Sequence, residues 1–203
     1  MGTRDNRGNN LADVEFILGG SLSLVEYDPA NKITRESMAE WIKTVELPEA
    51  YTNDSYVGLI KSDGGPQDGR DGGDVTEFYQ NGYQLPGEAA LTIAFTVAEN
   101  NRKIRRITLG EPDKYGVYAV HDIIQAEKWC CYAEELLKGG RIRRRAGVVQ
   151  VTGNEPNQST RGEVKGQQLT LTWIEDEMYD NAKYFESIYD PANTAPAKPP
   201  TSS

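Results

Sequence analysis

The stretch Glu135–Gly153, ELLKGGRIRRRAGVVQVTG, decides the fold. It passes through Gly139-Gly140, sets Arg141, Arg143, Arg144 and Arg145 within five residues, and runs on into AGVVQV. A glycine pair between two such runs predicts a β-hairpin with a two-residue turn, because glycine takes the positive φ that a primed turn needs. In that register Lys138 faces Arg141, Leu137 meets Ile142, Glu135 meets Arg144 and Glu134 meets Arg145. Opposite charges directly across a pair of strands contribute ~0.2–1 kcal/mol. Neighbouring residues point to opposite faces, so each face is expected to carry one charge couple. Arg141 and Arg143 are left over for an interface or an acidic partner surface. A nuclear-localisation signal needs an exposed, flexible basic run, whereas these arginines sit at the start of a strand. Structural pairing therefore outweighs a nucleic-acid grip.

The rest of the chain extends the same picture. KWCCYAEELL precedes the turn as a strand, and GQQLTLTWIE alternates with Leu169, Leu171 and Trp173 inward. AALTIAFT alternates too, with Leu91, Ile93 and Phe95 facing one way. DVEFILGGSLSLVEY predicts a hairpin around Gly19-Gly20, and Tyr56–Ile60 and Val75–Tyr79 predict strands on either side of a glycine-rich loop, Ser62–Asp74. YGVYAVHDII, apolar on both sides, predicts a central strand. Three stretches carry helical signals. Thr96 and Glu99 fit a capping box that opens a helix over about 97–109, ended by Gly110 and Pro112, with Glu99 and Lys103 as an i,i+4 pair and Arg105 and Arg106 in its last turns. Met38, Trp41, Ile42 and Val45 have helical spacing before Pro48, and Met178, Ala182, Phe185 and Ile188 have it near the end.

The expected fold is therefore mainly β (α+β): an antiparallel β-sandwich or barrel-like domain with one inserted helix at about 97–109, a long loop and extended termini. Residues 1–10 read as a flexible N-terminal arm, 11–190 as a single domain, and 191–203, rich in Pro and Ser, as a disordered tail.

Composition restricts function. The net charge is −9, but it is uneven: residues 101–152 hold 11 Lys/Arg against 6 Asp/Glu, while both flanks are acidic. A basic middle between acidic ends suits pairing within or between chains as well as it suits DNA. No apolar run reaches membrane-span or signal-peptide length, so no membrane partner is expected, and the protein is expected to work without secretion. Cys130 and Cys131 are adjacent and point to opposite strand faces, so they read as small hydrophobes in a reducing compartment. One histidine, His121, cannot build a zinc site, and it reads as a core or edge residue. The acidic loop around Asp63 and Asp74 breaks the EF-hand pattern, and Glu175–Glu177 has no second acidic cluster for a magnesium nuclease. With no G-x-S-x-G, P-loop or G-x-G-x-x-G, neither enzymatic activity nor a cofactor is expected.

YVGLIKSDGG, the Gly/Asp loop, GDVTEFYQNGYQL and ALTIAFTVAENNRKIRRITLG follow one another in an order similar to the major tail (tail tube) proteins of long-tailed, non-contractile phages. The positions are Gly58 to Gly64, Asp74 to Gly82 and Leu91 to Gly110, and KGGRIRRRAGVVQVTGNEPNQSTRGEVKGQQLTLTW resembles the family's basic strand, polar loop and final strand. The resemblance covers roughly residues 55–175. It implies a structural virion subunit that forms hexameric rings, stacked into a tube through which double-stranded DNA leaves the capsid without sequence-specific binding. It also implies further copies of itself, a tape measure protein, a tail terminator and tail tip or baseplate proteins as partners, with assembly in the host cytoplasm. Glu134, Glu135, Arg141, Arg143, Arg144, Arg145, Asp63 and Asp74 are the structural or interface candidates. The rival expectations are a nucleic-acid-binding module using the basic 102–106 and 141–145 clusters, and another virion β-protein such as a tail terminator.

Overall fold

The computed structural model describes residues 6–10, 14–85, 87–120 and 127–195. The chain is mainly β, with one short α-helix. The strands are β1 (Ile17–Glu26), β2 (Gln67–Asp71), β3 (Thr76–Glu77), β4 (Gln84–Leu85), β5 (Ala90–Val97), β6 (Lys128–Leu137), β7 (Ile142–Pro156), β8 (Gln167–Ile174) and β9 (Tyr184–Tyr189), and helix α1 is Arg102–Leu109. Seven strands form one antiparallel sheet: six in the order β1-β6-β7-β8-β5-β2, and β9 alongside β7 off that path; β3 and β4 make a separate two-stranded ribbon. β7 is the long central strand. Its first half pairs with β9 and its second half with β8 on the same edge, with a bulge between Val151 and Gly153. A bulge bends a strand and increases its twist.

The sheet is covered on both faces. One core gathers Leu22, Leu24, Ile93, Phe95, Trp129, Cys131, Val149, Val151, Leu169, Leu171 and Trp173, with Ile104 and Ile107 of α1 packed against them. The other sets Tyr132, Ala146 and Val148 against Ile33, Met38, Val45, Tyr179 and Phe185. The middles of β6 (Trp129–Ala133) and β7 (Ala146–Val149) are therefore nearly continuous apolar runs. Cys130 and Cys131 are free, buried and on opposite faces, as adjacent strand residues must be.

Residues 56–61 join β1 to β5. Val57 N–H donates to Leu22 O at 3.0 Å, Ala98 N–H to Leu59 O at 2.8 Å, and Lys61 N–H to Thr96 O at 2.9 Å. Isolated bridges Ser23–Tyr56 and Ile60–Val97 complete the link. This extended piece replaces the expected strand Tyr56–Ile60.

Several expectations are corrected. Residues 17–26 form one strand, with no hairpin at Gly19-Gly20. A Cβ at Gly20 would lie 2.7 Å from the Glu134 carbonyl oxygen, so this glycine serves a close strand-to-strand approach rather than a turn. The Ser62–Asp74 loop contains a 3-10 turn at Ser62–Gly64 and then β2, an edge strand paired with β5. Helix α1 starts at Arg102 and not near 97. Asn101 is the cap, accepting from Ile104 N–H at 2.9 Å, while Thr96 belongs to β5 and Glu99 accepts from Leu59 N–H at 2.9 Å. The local capping-box pattern lost to pairing of β5 with β8 and with residues 59–61. Gly110 closes the helix at φ +87°, as expected.

Residues 34–47 form isolated turns instead of a helix, although Met38 and Val45 are buried as the pattern required. Residues 177–189 form a 3-10 turn and β9 in place of a helix; Asp180 and Asn181, both at φ +57°, make the corner between them. Tyr115–Val120 is not a strand: Asp113 accepts from the amides of Tyr115 and Val117, and Tyr115, Val117 and Val120 are exposed. His121 lies outside the described residues.

Candidate functional site

The β6–β7 hairpin forms, but its register differs by one residue from the expected one. Leu136 faces Ile142, Glu135 faces Arg143 and Glu134 faces Arg144. The turn takes in three residues, Lys138–Gly140, with Leu137 N–H donating to Arg141 O at 2.8 Å. Lys138 N–H turns instead to Phe16 O, also at 2.8 Å, so it is tied to the segment leading into β1 and not to Arg141. A one-residue slip puts every side chain beside a different partner.

The arginines consequently divide by parity. Arg143 and Arg145 share a face with Glu135. Glu135 Oε2 accepts from Arg145 Nη2 at 3.1 Å and from Arg143 Nη1 at 3.5 Å. Each guanidinium reaches one further carboxylate: Arg143 binds Glu15 and Arg145 binds Asp68 on β2. The result is an alternating row, Glu15–Arg143–Glu135–Arg145–Asp68. Its centre is buried, with Arg145 2% and Glu135 4% exposed, and its end carboxylates reach solvent. Isolated charges buried in this way would be costly, so the row holds together only as a set.

Arg144 points to the other face. It lies directly across from Glu134, yet its guanidinium donates to the carbonyl oxygens of Ile42, at 2.6 Å, and Lys43. The Tyr189 ring lies 5.6 Å from it. Glu134 accepts from Tyr132 OH at 2.9 Å. The expected pairs Glu135–Arg144 and Glu134–Arg145 are thus replaced, and of the arginines of the run only those on the Glu135 face pair with carboxylates among the described residues. Arg144 thereby ties the end of the 34–47 turns to the sheet.

Arg141 donates to Val14 O at 3.4 Å. Asp63 sits in the 3-10 turn, exposed, with Lys61 Nζ at 3.6 Å. Asp74 is exposed at the base of the β3–β4 ribbon. β2 separates these two aspartates. The second basic cluster is also engaged locally: Arg106 binds Glu26 at 2.6 Å and Glu111, Arg105 lies 4.3 Å from the Tyr118 ring centre, and Lys103 lies 5.4 Å from that of Trp129.

Asp176 accepts from Tyr27 OH, Lys128 Nζ and Met178 N–H, each at 3.0 Å. Burial works to raise its pKa, but these three donors outweigh it and hold the carboxyl below the usual aspartate range. Among the described residues no three His, Cys, Asp or Glu side chains gather as a metal site, and no helix is long and apolar enough to cross a membrane.

The surface holds what sequence reasoning missed. The ribbon of β3 and β4 projects from the β2–β5 hairpin and exposes Val75, Phe78, Tyr79, Tyr83 and Leu85. Val14, Phe16, Ile17 and Leu18 are also more than half exposed. The signal for the ribbon was present in Gly73, Asn81-Gly82 and Gly87, which bracket its apolar residues. No protein-family model and no curated protein matches the chain. Its surface chemistry alone therefore carries the functional argument: aromatic and aliphatic side chains are presented outward on projections, while most of the charge-rich hairpin is turned inward. Large exposed apolar patches mark interaction sites.

Proposed function

We propose that the chain is a self-assembling structural protein of the phage tail-tube type, whose copies form hexameric rings that stack into a conduit for DNA. One observation carries this reading: the exposed apolar ribbon of β3–β4, which a lone subunit leaves in water and a neighbouring subunit would cover. An isolated two-stranded ribbon is marginally stable at best, so a partner surface would add to its stability. The link made by residues 56–61 between β1 and β5 fits a barrel-like body of the tail-tube kind. The excess of acidic groups suits a channel wall that releases phosphates, because cations neutralising phosphates are what give DNA affinity. A tape measure protein, a terminator and tip proteins would be the other partners, in a virion assembled in the host cytoplasm.

The nucleic-acid-binding alternative gains little from Arg144 and Arg145, which are buried and already bonded. A phosphate there would have to displace Glu135, Asp68 or the carbonyls of residues 42 and 43.

The test is electron microscopy of the full chain, concentrated alone and co-expressed with tail initiator components. Tubes of stacked rings are expected, with the chain as their wall. A chain that never enters a tail under either condition overturns the reading.

A further inference from the structure

A cleft of about 430 Å³ lies between β1 and the 58–66 segment, walled by Ile17, Leu18, Leu59, Ile60 and Pro66 with Glu135 at its floor. It opens where residues 56–61 leave the β1 edge for β5. Leu22 O points outward from β6 to accept Val57 N–H, and strand alternation turns the main-chain N–H and C=O of Gly20 the same way. Among the described residues neither Gly20 group has a main-chain partner beyond β6. The cleft is therefore an apolar slot alongside an open strand edge, the combination that receives an added strand.

The β3–β4 ribbon has the complementary chemistry. Residues 72–88 carry Asp74, Glu77 and Glu88 and no Lys or Arg. The cleft holds Lys61, which has Asp63 at 3.6 Å, and two further cations stand beside it: the Lys138 ammonium 5.7 Å from the Phe16 ring centre and the Arg141 guanidinium donating to Val14 O. The ribbon leaves β2 at Asp71, whereas the cleft adjoins the residues just before Gln67. β2 thus separates them by five residues, about 16 Å at strand rise. The two surfaces stand at opposite ends of one hairpin, so a ribbon seated in another copy's cleft makes a head-to-tail contact. Head-to-tail contacts propagate, closing into rings or running on as filaments.

We infer that the β3–β4 ribbon of one copy docks as an added strand in the β1 cleft of a second copy. This deepens the assembly reading above and names its contact.

The experiment uses two variants of the full chain, Tyr79→Asp on the ribbon and Leu59→Asp in the cleft wall, where Leu59 is 70% exposed. Both side chains are exposed, so far-UV circular dichroism and melting should match the parent. Sedimentation velocity of the parent across a concentration series is expected to show growing oligomers, and each variant alone should need at least tenfold higher concentration. A mixture of the two should stop at dimers, because one variant keeps the only good ribbon and the other the only good cleft. A parent that stays monomeric throughout, variants that assemble like the parent, or a mixture no larger than its components would each overturn the docking. Tubes that form with both substitutions in place overturn it too and leave the tube reading standing.

Discussion

Arg145 Nη2 donates to Glu135 Oε2 at 3.1 Å, and neither side chain reaches solvent to any useful extent. The two sit diagonally across β6 and β7, and Glu135 serves Arg143 as well. Substituting Glu135→Ala leaves two guanidinium groups facing each other without their shared carboxylate. Breaking a buried pair costs about 3–5 kcal/mol. Urea denaturation should show a loss of that order, and a loss under 1 kcal/mol would mean that the arginines find other partners.

Arg144 makes a different prediction. Arg144→Met keeps apolar bulk beside Tyr189 but releases the carbonyls of Ile42 and Lys43. Hydrogen bonds to a charged group contribute about 1.5–3 kcal/mol each. With two such bonds lost, the 34–47 segment should open on the order of a hundredfold more often, or more. Trypsin cleavage after Lys43, timed in the native protein, reads this directly.

Asp176 predicts an acid-sensitive element. Its folded pKa lies below the ordinary value, so the unfolded chain binds the proton more readily. Its stabilising contribution is complete above the usual aspartate pKa of about 3.9 and is lost as pH falls through the depressed folded value. Asp176→Asn should lower stability at neutral pH and flatten the acid limb of a stability-against-pH curve. An unchanged acid limb would assign acid sensitivity to other carboxylates.

The thiols give a chemical check. Burial pushes both Cys130 and Cys131 upward in pKa. Iodoacetamide should leave both unmodified in the native protein and label both in urea, since the thiolate is the reactive form. Labelling of Cys131 without unfolding would show that the face packed against Leu24 and Ala133 opens.

Asn101→Ala should cost about 1 kcal/mol, the usual value of a helix cap, whereas Thr96→Val should leave α1 intact. Denaturation midpoints of the pair decide which residue starts the helix.

The sheet was legible wherever alternation and a turn signal agreed. Ile93, Phe95, Leu169, Leu171 and Trp173 all face the core as their spacing required. Sequence failed where a distant partner decided the local state. Thr96-Val-Ala-Glu99 looks like a helix start, but Leu59 N–H takes the Glu99 carboxylate and Lys61 N–H takes the Thr96 carbonyl. Met38 to Val45 has a helical stripe, but the segment forms turns whose end Arg144 ties to the sheet. Of the candidate site, Glu135, Arg143 and Arg145 were named, but Glu135 was matched to Arg144, Arg145 to Glu134, and Arg143 was left over, because the turn length rests on Phe16, more than a hundred residues away. Asp68 and Glu15 carry no local sign that they close the row.

The pairing of β1 with β6 also has a temporal side. Leu24 lies against Cys131, so beyond its short contact with residues 56–57 β1 finds its full-length mate, β6, only after residue 131 has been made. Until then the edge of β1 that β6 covers is unpaired on the ribosome. Such distant pairing is slow, and a bare strand is what draws nascent copies together in the wrong way. Yield from cells should accordingly improve more by slowing synthesis or adding chaperones than by any change that only strengthens the finished sheet.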